Sequence, residues 1–183
     1  MSDSLLNELS KFKDLYYNEN KKKTFQPKTQ KYEVAKEIAS RFDVNILLQK
    51  TAYIIPNTNK IYINYLLFKQ FGEPGIYELF VKYVQNLATI AINRYNTFEC
   101  HINIDSFTIS AAERYKGLIC TFNNYELGYT EYIDAIYVYN SPRMVENIYK
   151  IFFSLIDEPI KKKLKLVKKI DSECIITKFN ECV

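Results

Sequence analysis

The chain has 183 residues, 48% hydrophobic and 25% charged, which suits one globular domain with a sizeable core and excludes a disordered chain. Its 25 basic and 21 acidic side chains leave a net charge of +4, too small a surplus to argue for nucleic acid as a partner. Cys100, Cys120, Cys174 and Cys182 form no CxxC pair and have only His101 near any of them, so no recognisable zinc site exists and the thiols are expected to be reduced in a cytosol.

Met1, Ser2, Asp3 and Ser4 offer no basic n-region or apolar core, so no secretory leader is expected. No run of about 18 apolar residues spans a bilayer. Residues 1–30 are polar and lysine-rich, with Leu5, Leu6, Leu9, Phe12 and Leu15 at helical spacing ahead of Lys21, Lys22 and Lys23. This predicts a short amphipathic helix and a mobile linker before a single domain over 31–183. A second short helix is expected over Lys31–Phe42. Two strands, Tyr53–Ile55 and Lys60–Ile63, flank the turn formers Pro56, Asn57, Thr58 and Asn59. Pro74 starts a helix of about five turns, with Ile76, Leu79, Phe80, Tyr83, Val84, Leu87, Ile90 and Ala91 along it at 3.6-residue spacing.

From Phe98 to Asp105 the residues alternate, so Phe98, Cys100, Ile102 and Ile104 face one way and Glu99, His101, Asn103 and Asp105 the other. Ser110 to Asn123 reads as a helix, and Ile133–Tyr139 as a strand covered on both faces. Asn140, Ser141 and Pro142 open a further helix to Ile156, and Lys163–Val167 is a last short strand. Strands alternating with helices predict an α/β class with a largely parallel sheet.

Enzyme signatures are thin. No GxSxG, P-loop or GxGxxG motif occurs, and the four glycines nearly exclude a phosphate-cradling loop. His101 is the sole imidazole, and strand geometry points Cys100 away from it. A catalytic His101 is set against a plain polar strand position facing water or a wet cavity. No metal site is expected.

The helix Arg143–Ile156 carries more information. Met144, Ile148, Phe152, Phe153 and Ile156 belong to an apolar surface covering most of its circumference, far wider than the stripe an ordinary surface helix needs. It must cover the sheet on one side and meet a ligand, a membrane, a partner or more core on the other. Lys161, Lys162, Lys163, Lys165, Lys168 and Lys169 follow. They are either a solvated face or, beside such a helix, a surface for anionic lipid, worth about 1 kcal/mol per lysine.

Residues 129–142 read Tyr-Thr-Glu-Tyr-Ile-Asp-Ala-Ile-Tyr-Val-Tyr-Asn-Ser-Pro and resemble the CRAL-TRIO lipid-binding domain, phosphatidylinositol transfer proteins of the yeast type included. The family has Tyr-Pro-Glu-Arg, a short apolar strand, and Asn-Ala-Pro opening a mobile gate helix. Leu155-Ile156-Asp157 is similar to the family's Phe-Leu-Asp ending, and Lys163–Val167 to its Lys-Ile strand. Ile102–Ala112 resembles its Asp-Leu-x-Gly-x-Ser segment, with Asn103 and Ser106 at the aspartate and glycine positions. The 42 residues upstream are too few for the family's N-terminal bundle, so the resemblance implies a minimal version with apolar surface left for a partner or homo-oligomer.

The resemblance implies a mostly parallel sheet with helices on one face and a gate helix over an apolar lipid pocket (Met144, Ile148, Phe152, Phe153 and Ile156). It implies that Glu131 and Lys163 hold a phosphatidylinositol or phosphoinositide head group, although the family's nearby threonine is Ile160 here. Lys161, Lys162, Lys165, Lys168 and Lys169 are expected to dock on anionic membranes. The expected function is cytoplasmic, peripherally membrane-associated lipid binding or transfer, with phospholipid as ligand, no other cofactor and no catalysis. The alternative is a non-catalytic scaffold of the same fold for homotypic or small-GTPase contacts.

Overall fold

A computed structural model describes residues 2–20, 27–124, 128–141 and 155–181. It opens with α1 (Ser2–Glu19) and α2 (Pro27–Arg41). α3 (Val44–Thr51) begins at Asp43, whose carboxylate accepts from the N–H groups of Asn45 and Ile46 and so caps two donors the helix cannot use. β1 (Ala52–Ile54) and β2 (Lys60–Asn64) pair antiparallel across the expected turn, where Asn57 takes a left-handed φ of 60° that asparagine tolerates.

α4 (Tyr65–Phe71) is capped by Asn64, and α5 (Pro74–Tyr95) carries its proline in the first turn and runs 22 residues, about a turn longer than the periodicity marks. Then come β3 (Phe98–Asn103), α6 (Ile109–Asn124), a 3-10 turn (Thr130–Tyr132) and β4 (Ile133–Tyr139). α7 (Glu158–Lys163), β5 (Leu164–Leu166) and α8 (Lys169–Glu181) close the described chain. β3 stops two residues before the alternation does. The Asp105 N–H donates back to Asn103 Oδ1 at 3.1 Å, and Ser106 turns to a φ of 59°.

The sheet order is β1-β2-β3-β4-β5, with β1 antiparallel to β2 and all other neighbours parallel. The main core lies on one face, where Ile61 and Phe98 meet Leu47 of α3, Phe68 of α4, Val81 of α5 and Ala112 of α6. Val34 and Ile38 of α2 join it, and so does the N-terminal helix, through the fully buried Leu9. A smaller cluster on the opposite face sets Ile176 and Phe179 of α8 against Tyr62, Tyr137 and Tyr139. The middle of that face is therefore buried. His101, expected to face water or a wet cavity, is only 3% exposed, because α8 lies over it.

Candidate functional site

Strand alternation turns Cys100 and Ile102 of β3, and Ile136 and Val138 of β4, toward the same side as α5 and α6. Between these elements lies a cavity of about 670 Å³, walled further by Phe80, Val84, Leu118 and Phe122. Its size falls in the ligand-pocket range of about 300–1,000 Å³. The lining is overwhelmingly apolar, so enclosed water would find few partners, and an apolar molecule would gain about 0.8 kcal/mol per buried methylene. Cys100 sits in this wall, where burial pushes its thiol up to about 12, which leaves it without nucleophilic thiolate at neutral pH.

Polar groups enter at few points. Tyr129 and Thr130 line one end, with the Tyr129 hydroxyl 2.7 Å from Thr89 Oγ1. Gln85 of α5 lines the wall, and its Nε2 is buried without a hydrogen-bond partner among the described residues. Sequence reasoning misses this amide, whose only signal is a polar side chain beside the apolar stripe of Val81, Val84 and Ala88.

The head-group candidates meet at the amino ends of β4 and β5. Lys163, the last residue of α7, donates from Nζ to the carbonyl oxygens of Thr130 at 2.6 Å and Ile133 at 2.5 Å. Glu131 is exposed on the turn between those two residues. Both carbonyl-bearing residues line the cavity, as does Ile160. Ile156 lines it too, whereas Met144, Ile148, Phe152 and Phe153 lie outside the described residues.

The remaining lysines do not share one face. Lys161 is half-buried, lines the cavity and pairs with Glu158 at 2.7 Å. Lys165 pairs in register with Tyr137 on the far side of the sheet, its Nζ 5.0 Å from that ring's centroid. Lys162, Lys168 and Lys169 are exposed.

His101 stands apart from the cavity. Its ring stacks 4.9 Å from Tyr137 and 5.8 Å from Tyr139, while Phe179 meets it edge-on. Its nitrogens contact the Tyr139 hydroxyl at 2.8 Å and Glu99 at 3.0 Å. Burial lowers its pKa, with Glu99 acting in the opposite sense. Both nitrogens are spent on side chains of β3 and β4, and the ring face and edge pack against Tyr137, Tyr139 and Phe179, so this imidazole is a packed element of the sheet rather than a free base. Among the described residues no group of three or more His, Cys, Asp or Glu could hold a metal, and no helix is long and apolar enough to cross a membrane.

A comparison with curated proteins finds no match. The family model of the CRAL/TRIO domain matches residues 75–182, more than half of the chain, from the start of α5 through α8 and hence across most of the cavity wall. Domains of this kind bind lipophilic ligands, which is what a large apolar cavity between sheet and helices is built to hold. The chain belongs to the CRAL/TRIO domain family.

Proposed function

We propose that this protein is a cytosolic lipid-binding and transfer protein that takes phosphatidylinositol or a phosphoinositide and exchanges it at anionic membrane surfaces. The observation that carries the reading is the apolar cavity of about 670 Å³ with Lys163 bonded to the carbonyls at one rim, on the turn that carries Glu131. A lysine suits the phosphodiester and a carboxylate accepts inositol hydroxyls, while the acyl portion occupies the apolar wall. Lys161 and Lys162 add positive charge on the helix that ends in Lys163; Lys165, Lys168 and Lys169 extend it along β5 to the start of α8, and the role is one of binding rather than chemistry.

The experiment is native mass spectrometry of the purified full chain with lipid extraction, followed by vesicle transfer of phosphatidylinositol. A co-purifying inositol phospholipid and transfer that falls in Lys163→Ala and Glu131→Ala support the reading. Unchanged transfer by both variants removes the residue assignment, and a ligand-free, tightly dimeric protein favours the scaffold alternative.

A further inference from the structure

A second polar concentration lies at the opposite ends of the strands. α4 follows the carboxyl end of β2 and α6 follows that of β3, the end at which open α/β sheets generally present their ligand sites. Lys69 of α4 donates to Ser106 Oγ at 2.7 Å and lies 5.9 Å from the Tyr65 ring centroid. Arg114 of α6 stacks 4.7 Å from the Tyr115 ring and donates to its hydroxyl at 3.2 Å. From α1, Lys13 reaches the same region and contacts Gln70 Oε1 at 3.4 Å. The Arg114 backbone is fixed in turn, its carbonyl accepting from the hydroxyls of Tyr32 at 2.7 Å and Tyr77 at 3.4 Å.

These three cations come from three helices and, among the described residues, have neutral hydrogen-bond partners. Several exposed cations of the chain pair instead with carboxylates, as in Arg41 with Glu37, Lys82 with Glu78 and Lys116 with Glu113. Here Arg114 Nε is buried with no hydrogen-bond partner among the described residues. The Lys13 ammonium is held below its ordinary pKa by burial first, then by repulsion from Lys69, Arg114 and Lys31, with Asp14 opposing. Burial likewise lowers the Lys69 pKa, with the Asp105 carboxylate opposing and Arg114 adding repulsion. Three gathered cations and a buried guanidinium N–H without a partner among the described residues still leave an electrostatic cost that an anion would lower.

We propose that Lys13, Lys69 and Arg114 form a binding site for a phosphate-class dianion at the carboxyl ends of β2 and β3, completed by the N-terminal helix α1. The guanidinium's planar fork matches phosphate oxygens, and the two ammonium groups supply the remaining charge. Tyr65 and Tyr115, which hold Lys69 and Arg114, also line the cavity, so the site stands behind the end of the cavity remote from Lys163. It does not depend on the head-group assignment of Lys163 and Glu131.

The test is thermal unfolding of the full chain in inorganic phosphate against chloride at matched ionic strength, with binding measured by calorimetry. Phosphate should stabilise the wild type, and Lys69→Gln or Arg114→Gln should weaken phosphate binding about 30-fold or more. Without phosphate, Lys13→Met should be as stable as the wild type or more so, since it removes a repelled ammonium; this variant keeps the test open should Arg114→Gln fail to fold. Sedimentation with phosphatidic acid vesicles separates the sources. Vesicle binding lost in Lys69→Gln but kept in Lys168→Gln assigns a lipid head group, and phosphate binding without vesicle binding assigns a soluble phosphate ester. Either supports the site. No stabilisation by phosphate beyond that by chloride, or full phosphate binding in Lys13→Met and Lys69→Gln, overturns it.

Discussion

The ammonium of Lys163 lies 2.6 Å from the Thr130 carbonyl oxygen and 2.5 Å from that of Ile133, which ties the residue before β5 to the turn that carries Glu131. Two charge-assisted bonds of this kind give Lys163 a structural role beside any ligand contact. Lys163→Ala should therefore cost about 1–3 kcal/mol of stability as well as lowering phosphatidylinositol transfer. Denaturant unfolding alongside the transfer assay checks both, and a variant as stable as the wild type would show that the carbonyl contacts contribute nothing.

Gln85 makes a prediction of opposite sign. Its Nε2 is buried in the cavity wall without a partner among the described residues, and an unpaired buried donor costs about 1–3 kcal/mol. Gln85→Leu keeps a similar volume and removes that donor. The ligand-free protein should gain about 1 kcal/mol, a rise of about 2–4 °C in Tm for a domain of this size. Calorimetry on delipidated protein measures it, and a fall in Tm would mean that the amide has a structural role.

His101 should make stability depend on pH. Burial places its folded pKa below the ordinary value of 6.5, despite the opposing pull of Glu99. The unfolded chain then binds the proton more readily than the folded one. The contribution is fully present above about pH 6.5 and is lost as pH falls from there through the folded value. Unfolding midpoints taken between about pH 8 and about pH 5 should drop more steeply for the wild type than for His101→Phe. Parallel slopes would assign the acid sensitivity to other groups.

Docking on anionic vesicles should weaken with salt, since exposed charges are screened beyond about 8 Å at physiological ionic strength. The exposed Lys162, Lys168 and Lys169 should carry more of it than Lys161, which is half-buried and paired with Glu158. Sedimentation of the triple variant to glutamine should fall well below that of Lys161→Gln. Equal binding at low and high salt would reduce the cluster to a solvated face.

Strands and helices whose side chains repeat on a single period are legible in the sequence alone. β4 occupies Ile133–Tyr139 as its apolar run predicts, and the alternation from Phe98 places Cys100 and Ile102 in the cavity wall. Family resemblance in the stretch from Tyr129 to Pro142 points to the same fold. α3, α4 and α8 are not legible in this way, because each is short or sparsely apolar, and their residues mark a helix only through what covers them. Ile175, Ile176 and Phe179 make a face for α8 only against Tyr62, Tyr137 and Tyr139.

Local periodicity thus determined the class, the parallel sheet and the apolar side that becomes a cavity, because burial of one face imposes a repeat of 2 or 3.6 on the chain. Partnership between distant segments was decided only by the tertiary structure. The polar row of Glu99, His101 and Asn103 suggests water, yet His101 and Asn103 are buried, and Phe179 of α8 closes over the His101 ring. The meeting of Lys13, Lys69 and Arg114 is likewise invisible along the chain. Each reads alone as a surface charge, and their mutual repulsion exists only once α1, α4 and α6 bring them to the ends of the same two strands.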